Sequence, residues 1–320
     1  MRARPDRPDH PKRRGSFLRG WLSEEIVRVA DGATGTQLLA RGLPPPPESW
    51  NIARYAMVQE IARRYLEAGA EIVTTNTLGA TPLRLASLDL SGELKEVVRA
   101  GIAAARMAVV EQWTRGKRAG QVQFIPRFVF GSCGPSGRRL GPGGDVTPEE
   151  LRESFLAAMR LHAGSVDAIA VETMTDLREA VIAVDAAREA ADGETPVMAT
   201  MAFPRGGPPF RAAGGEDVRT ICDALSAAGA EVLGANCAPS IEEMVALARE
   251  FRAATDLPLY FRPSAGLPER RGSALVHPLS PEAFAAKSLE LRDAGVRILG
   301  GCCGTTPEHV RLLARTLRAS

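Results

Sequence analysis

Long apolar runs are missing from this sequence, and aromatic residues are scarce at 5%. No stretch approaches the ~20 consecutive apolar residues that a membrane-crossing helix needs, so no membrane partner is expected. An excess of one charge is also missing. The 40 Lys and Arg nearly balance the 38 Asp and Glu, leaving +2, which gives no footprint for nucleic acid or an anionic bilayer. Cysteine is sparse and odd in number, five in 320 residues. That excludes a secreted disulfide framework and points to a reducing, cytoplasmic setting. No G-x-G-x-x-G follows an apolar run and no Walker A is present, which removes the common nucleotide-binding loops. The basic, Pro-rich start lacks the apolar core of a signal peptide. Residues 1–22 are therefore expected as a disordered tail, with one domain over 23–320.

What the sequence does contain is alternation. Short apolar runs alternate with amphipathic segments of helical period: IVRVA (Ile26–Ala30), EIVTTNT (Glu71–Thr77), RFVFGSCGP (Arg127–Pro135), DAIAVET (Asp167–Thr173), PVMATMAF (Pro196–Phe203), EVLGANC (Glu231–Cys237), LPLYFRP (Leu257–Pro263) and VRILGGCCG (Val296–Gly304). Near-continuous apolar strands separated by helices indicate a parallel sheet covered by helices. Eight such units predict a single-domain (β/α)8 TIM barrel, with a doubly wound open sheet as the runner-up. In a barrel, functional residues gather at the C-terminal strand ends. Asp31, Asn76, Cys133, Glu172, Asn236 with Cys237, Ser264, and Cys302 with Cys303 all fall there.

Cys237, Cys302 and Cys303 would then face one mouth. Zinc favours thiolates in tetrahedral geometry, and three protein ligands leave a fourth position for a substrate. Thr305 or Thr306 suits a helix N-cap, and Pro307 and Glu308 suit its first turn. The positive helix end would favour thiolates. From spacing alone, a strained vicinal disulfide or an incidental pair stays open beside metal binding. Lone Cys133 and Cys222 read as small buried hydrophobes. A zinc carrying three thiolates is poor at activating water and suited to holding a substrate thiol as its thiolate, so alkyl transfer to sulfur is the expected chemistry.

DGATGTQL (Asp31–Leu38), TTNTLGAT (Thr74–Thr81), Glu172–Thr173, GANC (Gly234–Cys237) and GCCGTTPEH (Gly301–His309) together resemble the zinc-dependent homocysteine S-methyltransferase family, in family order from about Val27 to the C-terminus. TTNTLGAT and SCGPSGR (Ser132–Arg138) are most similar to the homocysteine-binding modules of cobalamin-dependent methionine synthases. The resemblance implies a (β/α)8 barrel with one zinc on Cys237, Cys302 and Cys303. It implies methyl transfer to homocysteine to give methionine, from a methylcorrinoid on a separate protein. It implies that Asp31 and Glu172 hold the substrate ammonium and that amides around Gly32 and Ala33 hold its carboxylate. Thr173, Asn76, Asn236 and Ser264 fall in the same substrate-side motifs, Asn236 as a partner of the zinc site and Asn76 as a loop-orienting residue. The sequence also departs from the family. Arg262-Pro263-Ser264-Ala265-Gly266 stands where Pro-Asn-x-Gly is usual, Ala202 replaces an expected Thr, and the loop Pro204–Gly215 is unusual. These departures keep two alternatives open: a corrinoid-coupled demethylase or methyltransferase using another thiol or another donor (S-methylmethionine, betaine), and a non-catalytic barrel that binds metal or an amino acid.

Overall fold

The computed structural model describes residues 11–118, 125–191, 193–237, 240–271 and 274–319. Strands form at all eight apolar runs: β1 (Arg28–Val29), β2 (Ile72–Thr74), β3 (Phe128–Cys133), β4 (Ala168–Met174), β5 (Val197–Met201), β6 (Val232–Cys237), β7 (Leu259–Pro263) and, after a short antiparallel hairpin of β8 (Glu269–Arg271) and β9 (Ala274–Val276), β10 (Val296–Leu299). The eight are parallel in the order β1-β10-β7-β6-β5-β4-β3-β2. A parallel bridge from Ala30 to Ile72 joins the two ends of that order. It is flanked by Glu71 N–H donating to the Val29 carbonyl at 2.7 Å and Asp31 N–H donating to the Ile72 carbonyl at 2.9 Å. The sheet is thus a nearly closed barrel with helices between strands, and the open-sheet alternative is set aside.

The two faces of each strand have separate partners, as the two-residue period requires. Val73, Val129, Ile169, Val171, Val197, Leu233, Leu259 and Phe261 point outward into the helix layer. Ile72, Phe128, Phe130, Ala168, Ala170, Met198, Val232, Tyr260 and Ile298 point inward and fill the lower barrel. The helices start where short polar side chains can accept orphan N–H groups: Thr147 and Ser240 form capping boxes with Glu150 and Glu243, and Asp217 and Ser280 cap their own helices. Among the described residues, no helix is long and apolar enough to cross a membrane.

The expected tail needs correction. Its residues 1–10 lie outside the described residues, but Pro11–Ser23 is a helix. Leu18, Trp21 and Leu22 are buried in the same cluster as Ile72, Phe128, Ala168 and Val232. Those four residues open their strands, so the helix closes the N-terminal end of the barrel. Trp21 stacks on Phe128 with centroids 4.5 Å apart, and the Arg28 guanidinium covers the Trp21 ring at 4.0 Å. The spacing 18, 21, 22 is one helical stripe, hidden within a basic composition because the charges face outward. Arg19, for example, pairs with Glu231 at 2.6 Å.

Candidate metal and acceptor site

The inward row turns from apolar to polar as it climbs. Two residues beyond the last inward apolar position come Thr74, Ser132, Glu172, Thr200 and Arg262, and on β6 Asn236 follows Val232 with Gly234 between, all six buried. The barrel's C-terminal mouth is therefore floored by polar groups whose partners must come from neighbouring strands.

Cys237, at the end of β6, and Cys302 and Cys303, in the turn after β10, bring their three sulfurs within 4.8 Å of one another. All three thiols are free, and the Cys237 and Cys303 sulfurs are 3.7 Å apart. Tetrahedral zinc with Zn–S bonds of ~2.3 Å requires sulfurs about 3.8 Å apart, which the Cys237–Cys303 pair meets, so the donor set fits that ion. The vicinal disulfide alternative has no support in these free thiols. Backbone bonds hold the turn: Gly301 N–H to the Asp31 carbonyl at 2.8 Å, Cys302 N–H to the Pro263 carbonyl at 2.9 Å, and Ala265 N–H to the Cys303 carbonyl at 2.9 Å. Gly304 sits at φ 79, and a Cβ there would lie 2.0 Å from the His277 ring, so only glycine fits. Cys237 itself has φ 77 and Thr173 has φ 64, both costly for side chains with a Cβ. Such strain persists where surrounding bonds over-determine the backbone, as they do here.

The sequence leads one to expect thiolates beside the helix Pro307–Ala319. As free thiols they go the other way. Cys302 is pushed up to about 12, chiefly by its hydrogen bond with Cys237 and by burial, with Cys303 pulling the other way. Cys302 pulls Cys237 down, but Cys303 and burial carry it up to about 11. Cys237 pulls Cys303 down, but Cys302 carries it up to about 12. Hydrogen bonds among the thiols and their burial favour the protonated forms, and a divalent cation would favour the opposite by accepting all three thiolates.

Beside the sulfurs lies a buried ion network. Arg262 Nη2 donates to Asp31 Oδ1 at 2.8 Å and Nη1 donates to Glu172 Oε2 at 3.0 Å. Nε donates to the Gly301 carbonyl at 3.0 Å and Nη2 also to the Gly32 carbonyl at 3.3 Å. The other carboxylate oxygens are taken too. Asp31 Oδ2 accepts from Thr74 N–H at 2.7 Å and from its hydroxyl at 3.0 Å, and Glu172 Oε1 accepts from Ser132 Oγ. Burial pushes Asp31 up to about 6, against the downward pull of Arg262.

The remaining residues singled out in the sequence are distributed as follows. Ala33 N–H donates to Thr305 Oγ1 at 3.1 Å. Asn236 Oδ1 accepts from Thr173 N–H at 2.9 Å and Thr200 Oγ1 at 2.7 Å, while its Nδ2 donates to Thr173 Oγ1 at 2.7 Å and lies 3.8 Å from Cys302 Sγ. Ser264 Oγ donates to the Cys237 carbonyl at 2.8 Å. Asn76 works in a loop clamp, donating to the Pro47 carbonyl and to Asn51 Oδ1. Cys133 and Cys222 are buried apart from the trio. The loop Pro204–Gly215 packs outward: Phe210 stacks on Phe203, and Gly206 and Phe210 amides donate to Glu243 and Glu250. Thr74 and Ser132, which open the TTNTLGAT and SCGPSGR motifs, carried no assigned role in the sequence; their place two residues past inward apolar positions marks them as facing the mouth.

Comparison with known proteins agrees with this geometry. The family model "Homocysteine S-methyltransferase" matches residues 28–317. The chain belongs to the homocysteine S-methyltransferase family. Methionine synthase of Mycobacterium tuberculosis (strain ATCC 25618 / H37Rv) is 33% identical over 306 residues, covering 92% of this chain and 25% of that protein. Methionine synthase of Mycobacterium leprae (strain TN) is 32% identical over 301 residues, covering 90% and 24%. The chain thus spans about a quarter of the length of these relatives. The metallated homocysteine methyltransferase MmuM from Escherichia coli superposes with a TM-score of 0.75 at 23% identity, covering 93% of this chain and 99% of that one, which is a likeness of fold.

Proposed function

We propose that this member of the family is a zinc-dependent S-methyltransferase that moves a methyl group to the sulfur of a small thiol, from a methylcorrinoid presented by a separate protein. One observation carries the reading: three free cysteine sulfurs, all within 4.8 Å of one another, stand at the polar mouth of the barrel. Zinc, when bound to Cys237, Cys302 and Cys303, supplies the charge that keeps an acceptor sulfur in its thiolate form at neutral pH. The chain's own residues position that chemistry. Asn236 faces Cys302 and ties it to Thr173, and Ser264 holds the Cys237 backbone in its strained conformation. The new S–CH3 bond would form as the donor–CH3 bond breaks, its electron pair staying on the donor, and the thiol proton passes to solvent when the thiolate forms, so no protein nucleophile or base is required. A reducing, cytoplasmic setting keeps the three cysteines free.

Homocysteine, giving methionine, is the acceptor named in the family's description and the reference for testing. A different thiol is the second reading, favoured by Arg262 lying between Asp31 and Glu172. Zinc K-edge X-ray absorption on reduced, zinc-loaded protein, with and without thiol, tests the metal half. A zinc with three sulfur neighbours that gains one more on thiol addition is the expected result. Turnover with methylcobalamin, S-methylmethionine and betaine as donors tests the other half. Zinc binding without methylation of any thiol by any of these donors would leave a non-catalytic barrel.

A further inference from the structure

We infer that Arg262 sets the acceptor class, and that the thiol taken by this site carries no ammonium group. The inference rests on the thiol-methylating reading above and specifies its substrate. A small α-amino thiol with its sulfur at Cys237, Cys302 and Cys303 needs an anionic partner for its ammonium within a few bond lengths, because a desolvated ammonium without one is strongly disfavoured. Two buried carboxylates lie beside the sulfurs, Asp31 and Glu172. Asp31 lends its carbonyl to Gly301 N–H, and Glu172 precedes Thr173, which Asn236 ties toward Cys302. Both carboxylates already hold a cation, the Arg262 guanidinium.

That cation belongs to the protein and is built in. Its side chain is 6% exposed, and its nitrogens make four hydrogen bonds, to Asp31, Glu172 and the carbonyls of Gly32 and Gly301. Thr74 and Ser132 occupy the remaining oxygens of the two carboxylates. Of the other acids in the neighbouring loops, Glu48 gives one oxygen to Gly79 N–H and Glu179 one to Ser136 N–H. An incoming ammonium would have to expel a guanidinium and leave it buried without its partners, or lie unpaired itself. A thiol whose chain bears no amino group meets neither obstacle. The departure at Arg262 therefore acts as discrimination by an occupied counter-charge, a way of excluding one ligand class without weakening the metal end.

The test compares L-homocysteine with its des-amino analogue, which has the same chain, thiol and carboxylate. Zinc-loaded full-length protein is titrated with each by calorimetry, and zinc K-edge absorption reads whether sulfur joins the metal. The des-amino thiol is expected to add a sulfur neighbour and to bind at least about tenfold tighter than homocysteine, a difference of about 1.4 kcal/mol. Homocysteine binding as tightly or more tightly, with sulfur added, overturns the inference and keeps the thiol-methylating reading. Neither thiol reaching the zinc overturns both. In Arg262→Ala, checked for a native circular dichroism spectrum, the vacated carboxylates are expected to move the preference toward homocysteine by about tenfold or more. An unchanged ratio in that folded variant overturns the role given to Arg262. If the variant does not fold, the wild-type comparison alone decides.

Discussion

Replacing Arg262 by alanine removes the one guanidinium between Asp31 and Glu172, and the cost can be worked from their surroundings. All three side chains are at most 6% exposed, so solvent does little to screen the carboxylates that remain. Breaking a buried pair by deleting one partner costs about 3–5 kcal/mol at neutral pH. At ~2.1 cal/mol/K per residue of unfolding entropy, that loss lowers the melting temperature of a chain of 320 residues by about 5–7 °C. The pH dependence is more diagnostic than the magnitude. Asp31 already has a folded pKa of about 6 against an unfolded value of 3.8. A carboxyl raised on folding contributes stability that is fully present below the unfolded value and lost as pH rises through the folded one. Without Arg262 the folded value climbs further, so the variant goes on losing stability above pH 6, where the wild type has levelled off. The gap between them is expected to widen from pH 5 to pH 8. Urea unfolding at these two pH values, at equal zinc loading, measures it. Adding Asp31→Asn to the variant should recover part of the loss, as a cycle between contacting residues allows. A deficit below about 1 kcal/mol, or one that is equal at both pH values, would refute a buried, mutually dependent triad.

Three further outcomes follow from other parts of the molecule. Cys237→Ala and Cys302→Ala are each expected to lower bound zinc from about one per chain to near none by elemental analysis, whereas Cys133→Ala, whose sulfur is buried apart from the trio, should retain it. His162 is buried, hydrogen-bonded to the Ala158 carbonyl and Thr77, and held down to about 4 from 6.5. Its depressed value makes the protein lose stability as pH falls from 6.5 towards 4, by about 3 kcal/mol in all, and His162→Asn should remove that slope whatever its own cost. Trp21→Ala should destabilise the fold by about 3–5 kcal/mol in urea unfolding, because it uncovers the N-terminal end of the barrel. A change within about 0.5 kcal/mol would mean that the helix Pro11–Ser23 does not cap the core.

The sequence alone determined the barrel and the sulfur trio. Strand and helix periods are local, so eight apolar runs with amphipathic separators were enough to imply parallel strands, and barrel topology then sends each strand's end to one mouth. That brought Cys237 together with Cys302 and Cys303 across 64 residues of intervening chain, and the family resemblance added their role as a ligand set. Three matters were decided only by the tertiary structure. Leu18, Trp21 and Leu22 look like part of a basic tail until the open end of a barrel is there to receive them. The strands β8 and β9 are three residues each, too short for a periodic pattern to announce them. Arg262 is the clearest case. Its position on an inward row is readable from the alternation, but its partners are 231 and 90 residues away along the chain. A long cation at a strand end can turn to solvent or to a neighbour, and only barrel closure, by bringing Asp31 and Glu172 to either side of it, determines which.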